Sequence, residues 1–464
     1  MILTADYVLP ITSASINHGA ILVRDGRIEA VGELDELEAA YPDECTYDFG
    51  TAALMPGFVD AHSHLEYSSM GGIFEDVPYV DWKARIALAT RKISSQDWED
   101  AAFLGAIQAL SAGITAVADV TNTGAPLRAI EATGQHGVIY REVSTDTKAH
   151  IDHEMAAADA DIQQWRSFAD KHDMLVRVGI APGSLYAVNP NLLRAIGDYA
   201  MDGTPVAVHV AGSREEYDFI RYGSSPFALD IDNEQSRAFE GVQSQAFLPT
   251  GTSPVRYALN WGIMYAPDVM VIHAIELDDG DIARMAEQNL SVVTCPRASA
   301  KLGCGITPLL DLREAGIRVG LGTNSPAAAD SIDPFEEMRF GLLLQRAVSG
   351  SRAFFTAMDV MRMATIDAAK ILHLDDEIGS LEVGKRADIV AIDLSQSMQV
   401  PTTSPEAAVV HSANRNDVVM TMIDGRAVYR RDQGFNLPGD GAIQFEEFKS
   451  ISERAQDLRR SLRK

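Results

Sequence analysis

Between residues 54 and 375, short apolar runs rich in β-branched residues alternate with stretches of helical periodicity. This alternation constrains the fold more than any other feature of the chain. The runs are Leu54–Asp60, Ile114–Val120, Gly137–Val143, Leu175–Ala181, Pro205–His209, Val269–His273, Ser291–Cys295 and Ile317–Gly322, eight in all. Helical patterns such as Ala101–Ala112, Asn191–Ala200, Asp279–Gln288 and Thr307–Glu314 fall between them. Eight βα units predict an α/β protein built on a closed (β/α)8 TIM barrel rather than a doubly wound open sheet. The segment Gly212–Trp261 is too long for a simple βα connection and is expected to form a lid or wall.

The two chain ends read differently. Gly19–Gly32 carries an Asp25-Gly26 step between alternating strands, the mark of a tight hairpin. Val418–Tyr429 repeats the pattern around Asp424-Gly425, and Ile378–Ile392 reads as a turn followed by a buried strand. We therefore expect 1–53 and 376–435 to form one small β-sandwich domain, with the barrel of 54–375 inserted between its halves. In the tail, 436–464, Phe445, Phe448, Ile451, Ala455, Leu458 and Leu462 share one face of a helix, expected to pack on the body or on a partner subunit.

With 464 residues, 46% hydrophobic and 23% charged, the chain has ample core material for such an arrangement. A formal charge of −27 argues against nucleic acid or an anionic membrane as partner, since both would repel it. No run approaches eighteen apolar residues, and the start of the chain lacks the basic stretch of a signal peptide. Cys45, Cys295 and Cys304 make neither a disulfide framework nor a metal knuckle, which fits a reducing cytoplasm. No glycine-rich phosphate loop follows any strand.

In a barrel of this kind, chemistry collects at the C-terminal ends of the strands. His62 and His64 sit two apart at the end of the first run, so both imidazoles can face one metal ion. His209 ends the fifth run, His273 the sixth, and Thr323-Asn324-Ser325 follows the eighth. Four of the eleven histidines thus fall where one site would form.

These landmarks resemble the amidohydrolase superfamily, in its branch of cytosine, guanine and adenosine-type deaminases and triazine hydrolases. The resemblance runs through Pro56-Gly-Phe-Val-Asp-Ala-His-Ser-His64, Ala207-Val-His209, Val271-Ile-His273, Val293-Thr-Cys-Pro296, Gly320-Leu-Gly-Thr323, Asp333-Pro-Phe-Glu-Glu-Met-Arg339 and Gly379–Asp388. It implies that His62, His64 and His209 hold one divalent metal, zinc in preference to iron, and that His273 contacts the attacking water or the substrate. It also implies a homo-oligomer, expected to be a dimer.

Four positions depart from the pattern. The aspartate after strand eight is Asn324, and the proton-shuttling glutamate is Gly212. The strand-four histidine is Gly183, and the Ser-Asn after the strand-seven Cys-Pro is Ala298-Ser299. Asn324 is left with hydrogen bonding alone, and His273 is expected to orient or deprotonate the water. Glu215 and Glu216 are expected on the helix that follows, with a turn back toward the site as the lesser alternative. Further substrate-binding candidates carry two readings each. Glu66 contacts substrate or orients a ligand, and Trp82 stacks on a flat ring or fills the core. Arg141 holds an anionic group or a structural ion pair, and Tyr186 walls the pocket or packs. The expected activity is metal-dependent hydrolysis of a non-peptide carbon–nitrogen bond in a small cyclic or heteroaromatic compound. The alternative is a catalytically impaired metal-binding paralogue with a binding or regulatory role.

Overall fold

A computed structural model describes residues 1–229, 249–350, 354–396, 398–402, 404–438 and 445–462. Eight parallel strands form the centre: β1 (Phe58–Ser63), β2 (Ile114–Thr121), β3 (His136–Val143), β4 (Val176–Pro182), β5 (Val206–Val210), β6 (Val269–His273), β7 (Ser291–Thr294) and β8 (Val319–Leu321). Each pairs with its neighbours in chain order. β8 is too short to close the ring alone. Closure comes just beyond it, where Ser63 and Asn324 form a parallel bridge. Asn324 N–H donates to His62 O at 2.9 Å, and His64 N–H donates to Asn324 O at 2.8 Å. Below this bridge the Asp60 carboxylate accepts from Thr323 N at 2.8 Å. The barrel is therefore closed by backbone bonds of the His62–His64 segment to Asn324.

Strand residues alternate between two apolar clusters, as period-two geometry requires. Val59, Ala61, Ala116, Ala118, Val120 and Val138 belong to one. The intervening Phe58, Val117 and Ile139 join helix residues such as Ala106, Leu110 and Ile130 in the other.

The expected strand Leu54–Asp60 is in fact two. Ala52–Pro56 belongs to the end domain, and β1 begins at Phe58. Gly57 separates them because no side chain fits there: a Cβ would lie 2.3 Å from Thr115 Oγ1. The chain crosses from sheet to barrel at that close approach.

The chain ends build one mixed nine-stranded sheet. Ile389–Asp393 from the C-terminal half runs antiparallel to Ala52–Pro56 from the N-terminal half, so the two ends are hydrogen-bonded together. Both hairpins turn at their Asp-Gly steps, with φ of 47° and 79° at Asp25 and Gly26 and 49° and 73° at Asp424 and Gly425. Positive φ at both central residues matches the right-handed twist of the flanking strands.

The tail forms a helix over Phe445–Leu462. Ile451, Ala455 and Leu462 are buried, and Arg454 bonds Asp100 of the helix Ser95–Ser111 at 2.9 Å. The side chains of Phe445 and Phe448 lie outside the described residues. So does 230–248, the middle of the expected lid, whose described flanks are the helices Arg214–Tyr222 and Pro254–Asn260. Among the described residues, no helix is long and apolar enough to cross a membrane.

Candidate active site

His62 and His64 from the end of β1, His209 from β5 and His273 from β6 meet above the barrel. The His62 ring lies 4.8, 4.9 and 6.0 Å from those of His64, His209 and His273. His62 Nε2 and His209 Nε2 are 3.3 Å apart. Two nitrogens on one tetrahedral zinc, each about 2.05 Å from it, would be roughly 3.3 Å apart. One nitrogen from each of His62, His64 and His209 can be chosen so that all three lie within 4.8 Å of one another.

Burial holds all four rings neutral. His64 and His273 are each pushed down to about 4, and His62 and His209 fall well below the ordinary histidine value, helped by neighbouring imidazoles. Neutral imidazole is the form that binds metal. His64 Nδ1 donates to Val120 O at 2.8 Å, which fixes its tautomer and leaves Nε2 a bare lone pair. Buried His62 Nδ1 and His273 Nδ1 have no hydrogen-bond partner. Such a donor set fits a divalent ion better than it fits protons.

The rim is also where the backbone is strained. Ala211, His273 and Asn324 have φ of 53°, 78° and 59°, a region that L-residues seldom occupy. Two buried carboxyls support it. Asp60 ties His62 to Thr323, and burial raises it to about 7. Asp119 accepts from Leu65 N at 2.7 Å and Ser63 Oγ at 2.8 Å, steadying the turn that follows the histidine pair.

The histidines open into a cleft of about 960 Å³, part of it solvent. Its walls include Tyr67, Tyr79, Trp82, Lys83, Tyr186, Glu216, Leu302 and Asn324. Trp82 is held by donating to Ala327 O at 2.9 Å, and Tyr186 reaches Tyr79 through hydroxyls 3.3 Å apart. Two sequence candidates stand elsewhere. Arg141 pairs with Asp161 at 2.8 Å, and Glu66 accepts from Thr121 and Thr123, each at 2.7 Å; neither lines the cleft. Both hold the loops after β2 and β3 rather than the cleft wall.

The departures have structural counterparts. A Cβ at Gly183 would meet Ser144 Oγ at 2.9 Å and Val188 Cγ1 at 3.3 Å, so no histidine enters there without rearrangement. At Gly212 a Cβ would lie 3.2 Å from His273 Cδ2. Glu216 corrects the sequence reading. It does sit on the helix after β5, but its carboxylate turns back and lines the cleft, accepting from Ala211 N at 3.0 Å and Gly212 N at 2.9 Å. A sequence signal existed: Ser213 caps this helix, which places the residue three later in its first turn, facing the loop. Tyr79 and Lys83 were missed because they enter from a helix, Tyr79–Thr90, far from any strand end.

An eight-stranded barrel with imidazoles gathered at its C-terminal rim is the architecture of a hydrolase barrel, not of a nucleotide-binding sheet. The chain belongs to the Amidohydrolase family, which it matches over residues 53–428. Residues 19–43, in the end sheet, match the bacterial imidazolonepropionase-like composite domain. A 5-methylthioadenosine/S-adenosylhomocysteine deaminase of Symbiobacterium thermophilum is 29% identical over 443 residues, covering 92% of this chain and 93% of that protein. An adenosine deaminase of Xanthomonas campestris, solved with bound zinc, superposes with a TM-score of 0.83 at 24% identity, covering 100% of this chain and 98% of the other. An atrazine chlorohydrolase of Arthrobacter aurescens, also with zinc, gives 0.76 at 18% identity and 99% coverage of both chains.

Proposed function

We propose that this protein is a metal-dependent hydrolase that breaks a non-peptide carbon–nitrogen bond in a small cyclic or heteroaromatic compound. The observation that carries the reading is the convergence of three neutral imidazoles, His62 buried and His64 and His209 half-buried, at the floor of a cleft. His62, His64 and His209 would hold the ion. Zinc is preferred to iron, because three nitrogen donors with an open fourth position suit it and the superposed deaminase and chlorohydrolase contain it. A bound ion would supply a water activated for attack near neutral pH.

This chain's own residues do the rest. Neutral His273, its ring 5.5 Å from that of His209, orients the water or takes its proton. The Asn324 amide can offer a hydrogen bond but does not act as a base. Trp82 and Tyr186 flank the cleft with flat faces that suit a planar ring. Adenosine-type nucleosides are the first substrates to try, because the curated relatives are named as deaminases of such compounds.

The test is elemental analysis of the purified protein beside a deaminase assay. About one zinc per chain with release of ammonia supports the reading. A protein that stays empty when offered zinc and iron refutes it. A second reading, a metal-binding paralogue without turnover, is favoured by Asn324 and by the blocked space at Gly183. Metal without ammonia from any cyclic amine would select it.

A further inference from the structure

Hydrolysis at a ring carbon next to nitrogen places an electron pair on that nitrogen, which then needs a proton. The mechanism above leaves this donor unassigned. Among the described residues, the carboxyl groups lining the cleft are Glu142 and Glu216. Glu142 is partly exposed and engaged by Asn122 Nδ2 at 2.8 Å. Glu216 is only 4% exposed and lines the same cleft as His64, His209 and His273.

Its position is set from two sides. Ala211 turns the chain leaving β5 into the left-handed region, which aims two successive N–H groups at the carboxylate. The space beside it belongs to residue 212, where a Cβ would stand 3.5 Å from Glu216 Oε2 and 3.2 Å from His273 Cδ2. With glycine there, no side chain of residue 212 stands beside the carboxylate, which lines the cleft. We propose that Glu216 is a catalytic residue, whose carboxyl group delivers the proton to the substrate's ring nitrogen. The assignment rests on the hydrolase reading above.

In this step the water oxygen bonds to the ring carbon, and the π pair of the C=N bond moves onto nitrogen. Nitrogen takes the Glu216 proton. The proton shed by the water returns the carboxylate to its acid form, so H and OH have added across the double bond. Burial supports the role by raising this carboxyl to about 7, against the pull of the Gly212 and Ala211 N–H groups and of Lys83.

The competing role is a staple, in which the carboxylate only fastens the loop to the helix. Equilibrium binding to the zinc-loaded full chain separates the two. The probes are purine ribonucleoside, which has no amino group to lose, and its analogue with CH in place of N1. The parent protein is expected to prefer the N1 compound by about tenfold or more, and Glu216→Ala is expected to abolish the preference. Glu216→Gln, which keeps the shape if Ala unfolds, should lower kcat on a deaminated nucleoside about 10²–10⁴-fold with little change in KM. An unchanged N1 preference in a folded Glu216→Ala protein, or an unchanged kcat in Glu216→Gln, would overturn the assignment alone. If neither probe binds the parent protein, the purine-directed form of the hydrolase reading falls, and the assignment falls with it.

Discussion

The two ends of the barrel solve opposite problems. At the C-terminal rim, imidazoles are held neutral, Ala211, His273 and Asn324 adopt left-handed backbone, and Asp60 and Glu216 are buried carboxyls. At the other end the end sheet docks through close contacts. Gly57 leaves no room beside Thr115, and a Cβ at Gly113 would lie 2.8 Å from Val390 Cγ2. Thr421 Oγ1 donates to Leu110 O at 2.7 Å across the same junction. One end spends stability on left-handed backbone and unpartnered imidazole nitrogens, and the other recovers it through close packing. Function and stability are thus separated by the length of a strand.

This separation can be broken by mutation. The largest effect is expected from His62→Ala/His64→Ala, which should lose all bound metal and all hydrolysis while the fold holds, read by elemental analysis and circular dichroism. Unfolding of the metal-free parent would show instead that the rim is a structural centre. Next comes Gly57→Ala, whose added methyl meets Thr115 and should cost about 3 kcal/mol in urea unfolding. Metal binding in that variant should be unchanged; its loss would mean that the two ends are coupled.

Asn324→Asp should tighten metal binding roughly tenfold, because a carboxylate would stand beside the imidazoles in a backbone conformation that aspartate tolerates. Competition with a chelator measures it, and no change would show that residue 324 points away from the metal. The smallest effect concerns His136, which faces Asp388 at 3.5 Å and Asp424 at 3.8 Å between barrel and sheet. Burial pushes this histidine down, but the two carboxylates outweigh it and hold it above its ordinary value. Its contribution to stability is therefore full below the unfolded pKa of about 6.5 and is lost as pH rises through the folded one. Asp388→Asn should flatten that dependence, changing the folding constant by less than about tenfold. A profile that keeps its slope would remove His136 from the junction's energetics.

Much of this was legible in the sequence, for identifiable reasons. Strands buried on both faces must be apolar throughout, so β2–β8 announced themselves, as did histidines ending such runs. The Asp-Gly hairpins were legible because positive φ at two successive residues strongly favours that pair. The division of Leu54–Asp60 was not, because both of its strands are equally apolar and only the proximity of Thr115 requires the break at Gly57. Arg141 and Glu66 carried both a substrate-binding and a structural reading, and their partners Asp161, Thr121 and Thr123 accord with the structural one.

The sequence by itself determined the eight barrel strands, the joining of the chain ends and the placing of four histidines at strand ends. All three follow from local periodicity and residue chemistry. Only the tertiary structure decided which side chains share the cleft. That Gly212, the Glu216 carboxylate and His273 meet in one corner of the cleft is seen only in the fold, where a Cβ at 212 would lie within 3.5 Å of both side chains. Spacing along the chain describes which face a residue presents, but proximity across strands depends on how helices close over the barrel, and no local rule contains that.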